Sequence, residues 1–345
     1  MVIIRTNAYN AENTIERTIR SVLAQTYGNF RYYIIDDCST DGTSDIIAKY
    51  AEKDDRIRML RNEINSFKAV RLGVPASWGP AVFLEYACRD YPEGRYFCLL
   101  DADDEYLPTF FEKAIDFIAT NKLDIVGCGT YTVSEETGEP TGKDRFVSRD
   151  LLLQGDEFMR HISEYIYIMT AVWGKMYSLT IAQKWYYEDK IRTRLPHGIL
   201  ATDTIAVTRM FGYADRVGIL AAKLHRQYKW PMSLSRLNEA HIKRLYFPHV
   251  HHKVHSDFLR QKGGRIPPRL KDSYEYYVKY SFGKAVFLLG MEIPFRSKIS
   301  GMVSIISTYT KTVSFWGLLA TFGCAVKIFW RRRQHRRKAT NGRQT

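Results

Sequence analysis

The sequence predicts an α/β protein, a sheet whose strands are joined by helical crossovers, and three observations predict it. Short apolar runs alternate with stretches of helical periodicity through the first third of the chain. Turn and cap residues punctuate that alternation. Acidic clusters directly follow two of the apolar runs, where ligands bind in sheets of this kind, beyond the carboxyl ends of the strands.

The elements follow in order. Residues 2–4 are a short buried strand. Ile15, Ile19, Val22 and Leu23 then recur at helical spacing, and Asn13 with Glu16 forms a capping box for that helix. Residues 32–35 are a second strand. Asp41-Gly42-Thr43 turns the chain into a helix carrying Ile46, Ile47, Tyr50 and Ala51, and residues 57–60 are a third strand. A helix around 81–88 precedes a strand over 96–100. Pro108 suits a first helical position, with 109–119 continuing the helix, and 124–128 is another strand. Beyond that the pattern is less regular. Residues 165–172 are apolar and aromatic, and 238–296 are basic, aromatic and helical in character, interrupted by Gly263-Gly264 and Pro267-Pro268.

At 345 residues, 45% apolar and 26% charged, the chain has ample material for a core. A single domain rarely grows much past ~250–300 residues, so one large domain with an appendage is expected. The net charge of +14 is uneven: Lys327, Arg331, Arg332, Arg333, Arg336, Arg337, Lys338 and Arg343 supply eight positive charges, leaving +6 for the rest. Such a tail seeks an anionic surface. The tail lacks the interleaved aromatics of a nucleic-acid stacking surface, which argues against a nucleic-acid partner. Five cysteines without a CxxC pair suggest neither a disulfide framework nor a zinc site; Cys88, Cys98 and Cys128 sit in apolar or small-residue runs and read as reduced, buried thiols. Met1-Val2-Ile3-Ile4 is too short for a signal-peptide core, so the N-terminal part is expected to stay in the cytoplasm.

Two acidic clusters carry the chemistry. Asp36-Asp37 follows the second strand, and Asp101-Ala102-Asp103-Asp104 follows the strand over 96–100. Three carboxylates in four residues repel one another, and a divalent cation relieves that repulsion; hard oxygen ligands suit Mg²⁺ or Mn²⁺. The alternative is a solvated acidic turn ahead of the next helix. Other motifs are weaker. Gly127-Cys128-Gly129 has Thr132 where a dinucleotide fingerprint needs a third glycine. The segment Gly138-Glu139-Pro140-Thr141-Gly142-Lys143 is one residue short of a phosphate loop and reads as a hairpin turn. The imidazoles of His249, His251, His252 and His255 have no ligand partners at metal-site spacing.

Taken in order, the segments resemble glycosyltransferase family 2, the inverting enzymes of GT-A fold. The resemblance rests on Arg5-Thr6-Asn7-Ala8-Tyr9-Asn10-Ala11-Glu12, on Ser21-Val22-Leu23-Ala24-Gln25-Thr26-Tyr27, on Asp36-Asp37-Cys38-Ser39-Thr40-Asp41-Gly42-Thr43 and on the DxD motif Leu100-Asp101-Ala102-Asp103-Asp104. It continues through Val172-Trp173-Gly174-Lys175-Met176-Tyr177, Thr202-Asp203-Thr204, and His225-Arg226-Gln227-Tyr228 with Ser233 and Ser235. The resemblance covers residues 1–236 and implies a GT-A-type, Rossmann-like mixed sheet flanked by helices; by composition, a helical basic and aromatic extension over 237–300 and a membrane-associating apolar helix with polybasic tail over 301–345 follow.

By the same resemblance, Thr6, Tyr9, Asp36 and Asp37 hold the nucleoside of a nucleotide-sugar donor, a UDP-sugar first of all. Asp101 contacts ribose or metal, Asp103 is the principal ligand of Mg²⁺ or Mn²⁺, His225 and Arg226 approach the diphosphate, and Asp203 is the general base. The acceptor implied is a glycan or lipid-linked glycan of a cell-surface polysaccharide. Asp203 also reads as a helix N-cap, and a nonenzymatic relative that keeps the fold as a binding module is the competing class. There are departures: Arg5 stands where a Pro is common, Thr202 replaces a Glu, and the Gly-x-x-x-Ala-Arg-Asn segment is degraded to Gly79-Pro80-Ala81-Val82-Phe83-Leu84-Glu85, leaving Arg71 as a candidate replacement for its Arg. Residues 312–326 are uncharged, and Lys327, Trp330 and the arginines follow. This reads as a membrane-embedded or interfacial helix on the cytoplasmic face against anionic lipid, or else as a core helix.

Overall fold

Apolar, β-branched and aromatic runs become the inner strands of a nine-stranded mixed sheet in a computed structural model that describes residues 1–72, 77–78, 80–165, 168, 171–188, 202–229 and 262. All of these fall in one of two compact units, made of Met1–His197, Thr202–Ser233 and Gln261–Gly263. The strands are β1 (Val2–Ala8), β2 (Phe30–Asp36), β3 (Ile57–Arg61), β4 (Tyr96–Leu99), β5 (Glu105–Tyr106), β6 (Ile125–Ser134), β7 (Leu151–Gln154), β8 (Lys175–Ser178) and β9 (Arg216–Lys229). The helices are α1 (Ile15–Leu23), α2 (Thr43–Ala51), α3 (Ser66–Leu72), α4 (Pro80–Asp90), α5 (Phe110–Asn121), α6 (Glu157–Arg160), α7 (Ile162–Tyr165), α8 (Leu179–Glu188) and α9 (Thr202–Tyr213).

The sheet order is β3-β2-β1-β4-β8-β6-β9-β5, with β7 also on β9. Strands β1 to β4 pair in parallel, β8 is antiparallel to both β4 and β6, and β6 is parallel to β9. The carboxyl ends of β1, β2, β3, β4, β6 and β9 therefore share one edge. The order reverses between β1 and β4, the place where open α/β sheets form a ligand crevice.

The core forms because the apolar positions of strand and helix meet. Val2, Ile4, Tyr32, Ile34 and Cys98 from the sheet pack with Ile15, Ile19 and Val22 of α1 and Phe110, Phe111 and Ala114 of α5. Strand β1 runs four residues past the expected apolar stretch, because its polar half finds partners within the fold. Thr6 Oγ1 donates to the Leu100 carbonyl at 2.8 Å, and Arg5 lies over the Phe83 ring while donating to Asn7 and to the Trp78 carbonyl. Strands β5, β7, β8 and β9 and helices α3 and α6 to α9 had no distinct periodic signal.

Two local expectations are corrected. The capping box at Asn13 and Glu16 does not form: Thr14 is the N-cap, without a side-chain cap bond, and the Glu16 carboxylate instead accepts from Arg20 and the Tyr50 hydroxyl. Pro108 lies one residue before the Thr109 N-cap of α5, where its carbonyl accepts from Thr26 N–H at 2.9 Å. The hairpin at 138–143 is present, with Val133 and Thr130 bridging Pro140 and Arg145 and Gly138 at φ 70°. Gly127 and Gly129 sit inside β6 instead of a phosphate-binding turn. A Cβ on Gly129 would lie 2.9 Å from Lys223 Cγ, so this glycine admits β9 and the hairpin. Cys98 and Cys128 are buried thiols, whereas Cys88 and Cys38 are only half-buried. No helix among the described residues is long and apolar enough to cross a membrane; residues 238–345, apart from Lys262, lie outside the description, and with them the histidine cluster and the 312–330 segment.

Gln25 ties α1 to the segment that follows the acidic turn. Its amide donates to the Ser21 and Leu107 carbonyls at 3.2 and 2.8 Å and accepts from Phe111 N–H at 3.0 Å. Gln25→Ala strands a buried carbonyl and a buried N–H, which should cost about 2–4 kcal/mol. Urea unfolding should show a lowered midpoint at unchanged slope; an unchanged midpoint removes Gln25 from this role.

Candidate active site

The acidic turn is built by what surrounds it. Strand β4 ends at Leu99, and the next four residues turn so that Asp104 N–H donates to the Asp101 carbonyl at 3.2 Å. Chain direction then reverses into β5, whose Glu105 and Tyr106 pair with Arg226 and His225 of β9. Helix α1 clamps the turn from below: Thr18 Oγ1 donates to the Asp104 carbonyl at 2.9 Å, Arg17 Nη2 donates to the Asp103 carbonyl at 2.8 Å, and Ser21 Oγ accepts from Tyr106 N–H. Arg17 also forms a two-point pair with Glu135 at 2.9 Å and lies over the Tyr228 ring at 3.6 Å. One guanidinium thus joins α1, the turn, the end of β6 and the end of β9.

Within this frame Asp101, Asp103 and Asp104 bring carboxylate oxygens within 4.8 Å of one another. Asp101 is exposed, Asp103 half-buried and Asp104 buried. Asp104 Oδ1 accepts from Tyr228 N–H at 3.0 Å; Oδ2 is buried without a hydrogen-bond donor and lies 3.4 Å from His225 Nε2. Burial, and then the Asp104 carboxylate, push Asp103 up to about 6. An orphaned carboxylate oxygen beside a carboxylate that resists ionisation fits a divalent cation, since hard oxygen donors of this kind are what Mg²⁺ and Mn²⁺ take. Asp101 and Asp103 offer the open side.

The other proposed residues divide into two groups. Thr6 lies near the end of β1, which borders the switch point, and Asp36 and Asp37 lie at the end of β2, one strand further from it. Thr6 is fully buried and accepts from the Tyr32 hydroxyl in addition to its bond to Leu100. Asp36 Oδ1 accepts from Ser39 N–H, and its Oδ2 lies 3.3 Å from Arg61 Nε. Asp37 accepts four bonds, from Asn62 Nδ2, Asn65 Nδ2, Ser66 N–H and Ser66 Oγ, so its carboxylate fastens the start of α3 to β2. Tyr9 is 52% exposed beside these strand ends. Cys38, next to Asp37, holds φ at 66°, the left-handed region where a side chain is strained.

His225 and Arg226 meet the acidic turn from β9. The His225 ring is fully buried, stacked on Trp173 at 4.5 Å and 9° and edge-on to Tyr106. Arg226 pairs with Glu105 at 2.8 Å, and the Tyr228 hydroxyl donates to the same carboxylate oxygen. Lys175 of the Trp173-Gly174-Lys175 segment is buried and donates to the Ala171 and Trp173 carbonyls, which shapes the loop that presents Trp173. Asp203 is the second residue of α9, and its side chain lies outside the description. Arg17, Glu135, Glu105 and Arg145, whose guanidinium lies 5.3 Å from the Trp173 ring centre, were not singled out from sequence. They are scattered charged residues whose meeting depends on the β4–β5–β9 topology.

A sequence model of glycosyl transferase family 2 matches residues 4–194, more than half of the chain. The chain belongs to glycosyltransferase family 2. Among its relatives, TuaG of Bacillus subtilis, provisionally named a teichuronic acid biosynthesis glycosyltransferase, is 33% identical over 161 residues, covering 47% of this chain and 58% of TuaG. WfaP of Escherichia coli, named a UDP-Glc:alpha-D-GlcNAc-diphosphoundecaprenol beta-1,3-glucosyltransferase, is 39% identical over 116 residues, covering 34% of this chain and 40% of WfaP. The matches thus span about half the length of these relatives. Residues 1–349 of S. aureus TarS, solved with UDP-GlcNAc, superpose with a TM-score of 0.55 at 18% identity, covering 89% of each chain. This likeness places the described sheet in the GT-A fold.

The Asp103 carboxyl gives a pH signature. Raised to about 6, it holds a proton in the folded state that the unfolded chain releases near pH 4, so the metal-free protein loses stability as pH rises across that window. A cation that needs the ionised form binds better as pH rises. Thermal stabilisation by millimolar Mn²⁺ should be small below about pH 5 and grow through about pH 6. Scanning calorimetry with and without Mn²⁺ measures it; a Mn²⁺ effect independent of pH contradicts the assignment.

Proposed function

We propose that this family 2 chain transfers a sugar from a nucleotide-diphosphate donor, a UDP-sugar first of all, to a hydroxyl of a lipid-linked glycan with inversion at the anomeric carbon. The observation that carries the reading is the group of three carboxylates after β4, placed beside the switch point of a GT-A sheet. The name of WfaP, which acts on a diphosphoundecaprenol-linked sugar, and the UDP-GlcNAc bound to TarS support the choice of acceptor and donor classes.

In this reading Thr6, Tyr9, Asp36 and Asp37 form the nucleoside end of the site, and Asp101 and Asp103 hold Mg²⁺ or Mn²⁺. The ion, when bound, neutralises charge that builds on the departing diphosphate. Asp203 takes the proton of the acceptor hydroxyl as its oxygen attacks, because an un-ionised sugar hydroxyl is a weak nucleophile. Inversion in one step requires base and leaving group on opposite sides of the sugar. In the same proposal residues 1–236 form the catalytic domain, 237–300 a helical basic and aromatic extension, and 301–345 a membrane-embedded or interfacial apolar helix with a polybasic tail. That tail holds the site at the cytoplasmic face of the membrane near a lipid-borne acceptor.

A thermal-shift screen of nucleotide sugars with and without Mn²⁺ tests the donor class, and turnover of the stabilising donor separates an enzyme from a binding module. Asp103→Asn should abolish Mn²⁺-dependent donor binding and transfer. Full activity of that variant in chelator contradicts a metal role for Asp103. Asp203→Asn should keep donor affinity and lose transfer by roughly 10²–10⁴-fold. Transfer near the wild-type rate places the base elsewhere.

A further inference from the structure

Of the two side chains that the resemblance sends to the donor diphosphate, one is paired and the other enclosed. Arg226 is paired with Glu105 at 2.8 Å, and His225 is enclosed with no exposed surface. Lys229 is different. Residues 225, 227 and 229 share one face of β9, since side chains alternate along a strand. On that face the His225 ring comes 3.4 Å from Asp104 Oδ2. The neighbouring Tyr228 N–H donates to Asp104 Oδ1 at 3.0 Å, so Lys229 leaves the backbone directly beside the acidic turn. Its own carbonyl accepts from Glu135 N–H, which fixes the end of the strand.

The Lys229 side chain is half-buried, and its ammonium makes no hydrogen bond or ion pair among the described residues. Burial and then Arg145 lower its pKa, while Asp104, Asp103 and Asp101 raise it. A cation held partly out of water without a hydrogen-bonding partner is unfavourable, and an anion arriving at the site removes that cost. The three aspartates outweigh Lys229 and Arg145 while no metal is present. Once a divalent cation sits on them, the patch carries surplus positive charge, and a hard, multiply charged anion completes it.

We infer that Lys229 contacts the diphosphate of the donor and stabilises it as it departs. The inference rests on the function proposed above. The acceptor oxygen forms the new bond to the anomeric carbon, and its proton passes to Asp203. The bond from that carbon to the diphosphate oxygen breaks with its electron pair on the oxygen. Lys229 donates a hydrogen bond to the diphosphate as its charge grows and keeps its own proton throughout.

The test is calorimetric titration of the full chain in Mn²⁺ with UDP, GDP and dTDP, then of the tightest diphosphate and its parent nucleoside against Lys229→Met and Lys229→Arg. Lys229→Met should weaken diphosphate binding about 10–100-fold, the scale of a charge-assisted hydrogen bond, and leave nucleoside binding within about twofold. Lys229→Arg should restore most of the loss. The thermal midpoint of Lys229→Met should not fall, because the substitution removes an unpaired ammonium and keeps its apolar stem. Diphosphate affinity unchanged in Lys229→Met, or an equal loss for nucleoside and diphosphate, overturns the assignment while leaving the proposed function standing. A wild-type chain that binds none of the three diphosphates overturns the proposed function and this contact together.

Discussion

Asp101, Asp103 and Asp104 bring carboxylate oxygens within 4.8 Å of one another at the end of β4, and like charges at that distance separate unless something holds them. Side chains of α1 and the backbone of β9 do the holding. Thr18 and Arg17 of α1 grip the carbonyls of Asp104 and Asp103, and Tyr228 N–H of β9 fixes one Asp104 oxygen. Burial, and then the Asp104 carboxylate, outweigh the pull of Arg17, so the Asp103 carboxyl stays raised to about 6. The turn stores electrostatic tension that a cation can release, and the strands and helix around it are arranged to keep the turn from relaxing first.

The same constraint explains why the β5–β9 pairing is short and heavily charged. A two-residue strand cannot hold an edge by ladder bonds alone. Glu105 anchors it through Arg226 and the Tyr228 hydroxyl, and Arg17 lies against the other side of the Tyr228 ring. Part-buried charged bonds of this kind are worth more than exposed ones, because less water competes for their partners. Opening any one of them leaves its neighbour unpaired in a half-dry place, so the network moves as a unit or not at all.

The parallel half of the sheet was legible because its strands are continuous apolar runs and α1 and α5 have clear helical periodicity, which a single chain displays without help. Strands β5, β8 and β9 were not, since they are short or carry polar residues whose partners lie far away in sequence, as His225 does with Tyr106 and Trp173. Acidic clusters at strand ends were readable as a candidate site for a related reason: charge concentrated after a buried run marks the strand's end, although Asp36, Asp37 and Asp104 are themselves buried and bonded within the fold. Arg17 and Lys229 gave no such signal. An arginine on an amphipathic helix and a lysine at a strand end look like ordinary surface residues, and only the meeting of α1, β6 and β9 at the turn shows otherwise. The polar face of Gln25 was visible only as part of a phrase; its work is to bond the backbone around the loop into α5.

Thr6 and Asp37 raise a finer point about motif residues. Thr6 is buried and makes two hydrogen bonds within the sheet, and Asp37 accepts four from the start of α3. A carboxylate satisfied by four donors gives up one or more of them before it can accept from a nucleobase, at roughly 1–3 kcal/mol for each buried group left unpaired. A nucleobase bound at Asp37, as proposed above, would compete with Asn65 and Ser66 for the oxygen it reaches, and the exchange would be favourable only if the displaced side chains turned to the ligand or to water. Asn65 and Ser66 are half-buried rather than enclosed, so water is within their reach. Asn62, only 2% exposed, is held in place by its bond from Trp78 N–H while it donates to Asp37. On the proposed function, a nucleobase arriving at Asp37 would exchange the outer donors and leave the inner one in place.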